Sequence, residues 1–343
     1  MRNKKIFIAS LSSPLPGGKG FQFTAADQLS FLFTKSGIGN IINPHHKNRL
    51  LSLVNTLFFL LGNISGIDAA ILPLYGTPNS IKWYKALEKI LLWKGKKIFC
   101  VVHGGTIPDQ LESNPEIFAG CFKNAYRVIV PSAYLQEALG KKNIAAEVIE
   151  NSILLSAYPF TNKEKLRPHI LWMRSFHEVY NPLMAVKAAA LLANTYPDFK
   201  MVMAGRDSGL FDETEKLVHA LGLQEKIMFP GHVDLPEKIK LSEEYDIYIN
   251  TNIVDNAPVS VIEFMALGLP VVAADAGGLR YIITDKMNGL LCQNNDEKNL
   301  ADKIKLLLNN PALAASVRSN ARVYAEVYDE KKVIEKWKKV LQC

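Results

Sequence analysis

Short apolar runs and longer amphipathic stretches alternate along the whole chain. The runs "KKIFIAS", "AAILPLY", "KKIFCVV", "YRVIVP" and "AEVIEN" have strand length. Between them lie "FTAADQLSFLFTKSG", "KNRLLSLVNTLFFLLGN", "NSIKWYKALEKILLWKG" and "SAYLQEALG", which carry apolar residues at helical spacing. This rhythm predicts βα units, and so a parallel sheet with helices on both faces. The segment "PFTNKEKLRP", polar with a proline at each end, reads as a linker. The rhythm then restarts, with "HILWM", "FKMVMAG", "KIMFPG", "YDIYINT", "PVVAAD" and "GLLCQ" as strands. "NPLMAVKAAALLANTY" reads as a helix with Asn181 as N-cap and Pro182 in its first turn, and "DETEKLVHALG" as a helix ending at Gly222. The tail from about residue 296 reads as almost wholly helical. The expectation is two Rossmann-like α/β domains, 1–160 and 161–322, followed by a terminal helix over 323–343. Ligands in such sheets sit at the carboxyl ends of the strands, so those loops are expected to face one shared cleft.

Composition narrows the class. With 343 residues, 48% of them hydrophobic, the chain can bury two sizeable cores and is not expected to be disordered. Cys100, Cys121, Cys292 and Cys343 are scattered without metal-ligand, redox or disulfide spacing, which favours a reducing cytoplasm. The apolar stretch Ile6 to Leu11 is too short for a signal peptide, and "LLSLVNTLFFLLG" is too short to span a bilayer, so no transmembrane helix is expected. Charge is uneven: residues 1–168 hold 20 Lys+Arg against 10 Asp+Glu, and the remainder 20 against 23. Either the first half meets something anionic or its basic surface is simply solvated. A glycine fingerprint for NAD is absent, because Phe23 stands where the third glycine after Gly18 and Gly20 would be. There is no Walker lysine motif, no Asp-x-Asp pair and no His/Cys cluster of ligand spacing. No cofactor, no metal and no nucleic-acid partner are therefore expected.

The chemistry concentrates in "DNAPVSVIEFMALGLPVV", residues 255–272, which sets Glu263 among Val261, Ile262, Phe264 and Met265. A buried carboxylate is costly unless something satisfies it. "YDIYINTN" reads as a strand, "IVDNAPVS" as a loop, and a helix follows from near Pro258. The free amides of that first turn form an anion site, and a carboxylate one turn further in can accept two hydrogen bonds from a ribose diol. Two readings of Glu263 stay open at this point: a nucleoside diphosphate ligand, or pairing with a lysine or a backbone amide.

This stretch resembles the retaining glycosyltransferases of family 4, which adopt the two-domain GT-B fold. In that family an acidic residue, seven intervening residues and a glutamate precede a run like "EAMA-GLPVV". Asp255 and Glu263 have that spacing here, followed by "FMALGLPVVAADAGGLRYII". "FPGHVD" with His232, "DKMNGLLCQNNDEKNLADKIKLLLNNP", "VVHGG", "NAYRVIVPSAYLQEAL" and "VIENSI" also look like family segments. The helix around Trp337 looks like the family's final helix, which crosses back onto the N-domain. The resemblance implies that Glu263 holds the donor ribose and that amides near Pro258, Val259 and Ser260 face the diphosphate. It implies that Asp255 hydrogen-bonds the donor sugar, that Arg174 stabilises the leaving diphosphate, and that His103 lies near the reacting carbon. His232 would lie beside the base. Gly277 and Gly278 would let backbone approach the donor closely, and Gly17 and Gly18 would shape the first-strand loop, where a plain turn is the other reading. Two positions depart from the pattern. Asp255 stands where the family usually has glutamate, and Tyr180 where it usually has a lysine soon after the arginine. Arg206 is the candidate replacement cation, with a plain surface role as its alternative.

The resemblance implies a metal-independent, retaining hexosyltransferase that uses a UDP- or GDP-linked sugar. The acceptor would be a saccharide or lipid-linked saccharide of surface glycan assembly. The rival readings are a nucleotide-sugar epimerase or phosphorylase of the same fold, and a weakly active partner of another transferase. Residues 79–97, "NSIKWYKALEKILLWKGKK", interleave Lys82, Lys85, Lys89, Lys94, Lys96 and Lys97 with Trp83, Tyr84, Ile90, Leu91 and Trp93. They read either as a helix docking on an anionic membrane surface, with the protein peripheral on its cytoplasmic face, or as a helix whose Ile81, Tyr84, Leu87 and Leu91 pack on the sheet.

Overall fold

The computed structural model describes residues 5–10, 24–43 and 49–342. Gly17 and Gly18 lie outside the described residues. The chain divides into two compact units, Met1–Asn151 with Lys331–Cys343, and Ser152–Glu330.

The first unit runs β1 (Ile6–Ile8), α1 (Ala25–Lys35), β2 (Asn40–Ile42), α2 (Arg49–Asn63), β3 (Ala69–Tyr75), α3 (Pro78–Trp93), β4 (Lys97–His103), α4 (Ile107–Ser113), α5 (Pro115–Phe122), β5 (Arg127–Val130), α6 (Ala133–Gly140) and β6 (Glu147–Val148). Its sheet is parallel, with strand order β2-β1-β3-β4-β5-β6. Successive strand residues point to opposite faces, and the cores follow that alternation. Phe7, Ala70, Leu72, Ile98, Cys100 and Val128 face α2, α3, α5 and α6. Ile6, Ile8, Ala69, Ile71, Phe99 and Val101 face α1 and the last helix of the chain, α14 (Glu330–Gln342). Trp337 of α14 meets Phe33 of α1 edge-on, with ring centroids 5.6 Å apart. "AEVIEN" forms only a two-residue strand, shorter than its apolar pattern suggests. In α3, Ile81, Tyr84, Leu87 and Leu91 are buried against the sheet, so packing accounts for the apolar spacing of residues 79–97.

The second unit runs β7 (His169–Met173), α7 (Pro182–Ala193), β8 (Lys200–Ala204), α8 (Phe211–Ala220), β9 (Ile227–Gly231), α9 (Leu235–Glu244), β10 (Ile247–Asn250), α10 (Val259–Leu267), β11 (Val271–Ala274), α11 (Leu279–Ile282), β12 (Leu290–Cys292), α12 (Glu297–Asn309) and α13 (Pro311–Ala325). Asn181 is the N-cap of α7, held in the left-handed region at φ 49°, and Pro182 opens the helix. The strand order is β12-β11-β10-β7-β8-β9, all parallel. From β7 the chain builds outward in one direction through β8 and β9. It then returns to β10 and builds in the other direction. The loops after β7 and β10 therefore diverge at the switch point, where an open α/β sheet leaves a crevice.

The segment read as a linker is packed onto this unit. The Asp246 side chain is fully buried and takes hydrogen bonds from Lys163 Nζ at 2.6 Å, Arg167 Nε at 3.0 Å and the Arg167 amide at 2.5 Å. Buried Arg318 of α13 donates to the carbonyls of Thr161 and Lys163, each at 2.5 Å, and to that of Gly268 at 2.7 Å. Polar composition marked the segment as a linker, but its charges are matched to buried partners far away in sequence.

Candidate functional site

The site grows from the two loops of the switch point. Arg174 follows the last residue of β7, and its amide donates to Ala204 O at the end of β8 at 3.1 Å. That approach requires Gly205, because a Cβ there would stand 1.8 Å from the Arg174 carbonyl oxygen. The Arg174 guanidinium reaches the second loop. Its Nη2 donates to Asp255 Oδ2 at 2.6 Å, and its Nη1 lies 3.5 Å from Ser260 Oγ. It also lies over the Tyr180 ring, 4.1 Å from the centroid, so Tyr180 stacks on the cation that a lysine there would repel. Arg174 Nε is buried without a hydrogen-bond partner among the described residues.

Asp255 is the hub of the second loop. Its Oδ2 also accepts from Asn252 Nδ2 at 2.5 Å, and its Oδ1 accepts from the Asn256 amide at 2.7 Å. Its carbonyl accepts from the Gly278 amide at 2.7 Å. The two glycines after β11 are needed for this approach. A Cβ on Gly277, whose φ is +55°, would stand 2.3 Å from Asp255 O, and one on Gly278 would stand 1.7 Å from Asn256 O. What these glycines admit in the structure is the backbone of the Asp255 loop, where the sequence reading expected the donor.

The loop ends at buried Pro258, which precedes α10 and offers no side-chain cap. The first-turn amides at Val259 and Ser260 are the free donors that attract anions. Ser260 Oγ is within 2.9 Å of Tyr248 Oη, and burial pushes the Tyr248 phenol up to about 12. Glu263 lies one turn further in and is satisfied by the protein. Lys238 Nζ of α9 donates to its Oε2 at 2.6 Å, and Tyr158 Oη to its Oε1 at 2.7 Å. Burial and the Glu263 carboxylate both raise the Tyr158 phenol.

Arg174, Asp255, Pro258, Val259, Ser260, Gly277 and Gly278 thus share one constellation, with Glu263 in the second turn of its helix. Arg206 and His232 are exposed on the loops after β8 and β9, which the Gly205 amide ties together by donating to Gly231 O at 2.8 Å. His103 ends β4 of the first unit, stacked on Tyr75 with ring centroids 5.6 Å apart; burial brings its pKa down to about 4, so its imidazole is neutral at pH 7. Among the described residues, no three His, Cys, Asp or Glu side chains cluster as metal ligands would. Sequence reasoning missed Gly205, Asn252, Lys238 and Tyr158. Lys238 sits in "LPEKIK", where it looks like any solvated lysine, and Tyr158 borders the segment read as a linker.

The chain is similar to several known proteins. Residues 158–324 match the family model described as "Glycosyl transferases group 1". An uncharacterized glycosyltransferase of Haemophilus influenzae is 33% identical over 161 residues, 46% of this chain and 44% of that protein. The Campylobacter jejuni GalNAc-alpha-(1->4)-GalNAc-alpha-(1->3)-diNAcBac-PP-undecaprenol alpha-1,4-N-acetyl-D-galactosaminyltransferase is 30% identical over 164 residues, 47% of this chain and 44% of that protein. The matched region thus spans less than half the length of these relatives. Among solved structures, Anabaena HepE in complex with UDP and glucose superposes with a TM-score of 0.75 at 17% identity, covering 99% of both chains. That likeness carries the fold. Residues 158–324 are thus similar to group 1 glycosyl transferases, and the chain has the two-domain α/β GT-B fold.

Proposed function

We propose that the chain is a retaining, metal-independent hexosyltransferase of family 4, using a UDP- or GDP-linked sugar and a saccharide or lipid-linked saccharide acceptor. The observation that carries this reading is the switch-point constellation. It joins a cation, Arg174, to the uncapped N-terminus of α10, with the Glu263 carboxylate one turn beyond. A diphosphate fits the first two and a ribose diol fits the third. In the reaction, the bond from the sugar's anomeric carbon to the diphosphate oxygen breaks, and the electron pair leaves with the diphosphate. Arg174 and the helix amides stabilise that charge. The acceptor hydroxyl oxygen bonds to the same carbon on the same face, and its proton passes to a departing phosphate oxygen. Asp255 holds the sugar hydroxyls, and the family resemblance assigns neutral His103 a place near the reacting carbon. The solved complex of HepE with UDP favours the UDP donor, and the undecaprenol-linked name of the Campylobacter relative favours a lipid-linked acceptor.

A second reading has one observation in its favour. Arg174, Asp255 and Glu263 are all engaged by protein partners, as in a weakly active nucleotide-sugar-binding partner of another transferase. Purified protein should be incubated with UDP- and GDP-sugars, with and without EDTA, and donor consumption and anomeric configuration measured. Turnover that survives chelation and retains the anomeric configuration supports the transferase. Binding without turnover supports the second reading, and metal-reversible loss under EDTA refutes metal independence.

A further inference from the structure

Helix α2 carries an apolar face that is exposed among the described residues. Thr56 and Leu60 point into the core of the first unit. Val54, Phe58 and Leu61, at helical i, i+4 and i+7 spacing, are 39%, 71% and 47% exposed. Scattered exposed hydrophobics need no explanation, but a stripe on one helix does. The adjacent charge is one-sided: from Gln28 to Ile67 the sequence holds no Asp or Glu at all. Leu60 of α2 and Tyr84 and Leu87 of α3 belong to one core, so both helices lie on the same face of the sheet. At the end of α3, Leu92 and Trp93 are 41% and 72% exposed. Lys94 Nζ lies 3.8 Å above the Trp93 ring, and Lys89 and Lys97 are exposed nearby in sequence.

We propose that this helical layer of the first unit docks on an anionic lipid surface, with Val54, Phe58 and Leu61 entering the headgroup–acyl boundary. Trp93 sits at the interface, and Lys89, Lys94 and Lys97 meet the lipid charge. A bilayer is the occupant that matches both features. Apolar side chains gain from the acyl region, and lysines beside an exposed indole gain from anionic headgroups. A second copy of this chain meeting α2 with α2 would set two acid-free segments, each with Lys35 and Arg49, against each other. The sequence pattern pointed to α3 alone; the structure moves the apolar contact to α2, because the stripe of α3 is already buried. The proposal needs no donor, so it stands or falls apart from the transferase reading.

The test is sedimentation of the full chain with vesicles of phosphatidylcholine alone or mixed with phosphatidylglycerol, at low and high salt. Trp93 emission, assigned by Trp93→Phe, is followed alongside. Docking predicts recovery with the anionic vesicles only, loss at high salt and a blue-shifted Trp93. Phe58→Asp with Leu61→Asp should abolish binding. Lys89→Gln with Lys94→Gln should weaken it about ten-fold without touching the core. Circular dichroism melts confirm that each variant is folded. Recovery in the supernatant with both vesicle types overturns the proposal. So does equal binding to neutral vesicles, or a lipid-free dimer that Phe58→Asp dissociates.

Discussion

Arg174 and Asp255 hold each other: Nη2 donates to Oδ2 at 2.6 Å, and both side chains are largely shielded from water. They are 81 residues apart in sequence, and only the adjacency of β7 and β10 brings them together. This pair keeps a cation and a carboxylate from standing unpaired at the helix terminus. A diphosphate would compete with Asp255 for the guanidinium and release the carboxylate toward the sugar hydroxyls.

That exchange predicts different signatures for the two residues. Arg174→Met should weaken UDP binding by roughly 1.5–3 kcal/mol, the scale of a hydrogen bond to a charged group. Asp255→Asn should leave UDP binding nearly intact and lower kcat on the nucleotide-sugar. Calorimetry with UDP and steady-state kinetics separate them. Equal losses of UDP affinity in both variants would mean that the pair acts as a structural unit only.

Glu263 is predicted to serve both the fold and the ligand. Glu263→Gln leaves the Lys238 ammonium without its carboxylate, so stability should fall by about 1–3 kcal/mol. Nucleoside diphosphate affinity should fall by roughly 1.5–3 kcal/mol in addition. Lys238→Met breaks the same pair from the other side. A ribose role requires Glu263→Gln to lose more affinity than Lys238→Met at comparable melting temperature.

Gly278→Ala should impair the site by pure crowding. Its backbone is in an ordinary region, so no conformational strain is involved, yet a methyl group would stand 1.7 Å from Asn256 O. The Asp255 loop must then shift, and misplacement on this scale costs about 100-fold in rate. Measuring kcat/KM beside the melting temperature checks it. An unchanged kcat/KM would show that the loop need not hold its observed position.

Asp246→Asn should destabilise the second unit by about 3 kcal/mol, since it removes the buried carboxylate that Lys163 and Arg167 both pair with. Burial raises the Asp246 carboxyl, but the Arg167 and Lys163 hydrogen bonds prevail and hold it below the ordinary range. Chemical denaturation of the variant measures the cost.

His103 supplies the pH dependence. Burial brings its pKa to about 4, while an unfolded histidine titrates near about 6.5. Between these values the unfolded chain binds the extra proton, so stability contributed by neutral His103 is complete above about pH 6.5 and is lost as pH falls toward 4. His103→Gln should flatten that part of the stability curve, and NMR of the imidazole should place its midpoint near 4.

Much of the architecture was legible because parallel strands buried on both faces leave continuous apolar runs, and Pro182 and Asn181 announce a helix start. The loop carrying Asp255 was legible for the same reason: a strand, a proline and a helix fix its place. Its partners were not. Lys238 and Glu263 lie on different helices, and neither residue's neighbours in sequence betray the pairing. The segment around Lys163 misled because its charges resemble solvated linker charges until Asp246 and Arg318 are seen beneath it. Residues 79–97 left two readings open, and the burial of Ile81, Tyr84, Leu87 and Leu91 accounts for their apolar spacing by packing.

Helix α14 has a consequence for how the protein is made. Val333, Ile334, Trp337, Val340 and Leu341 complete the core beneath Ile6, Ile8 and Phe99, yet they are synthesised after the entire second unit. On the ribosome, the second unit has all of its residues first. The earlier-emerging first unit must wait, one sheet face covered by α1 but not yet by α14, until translation has passed Leu341.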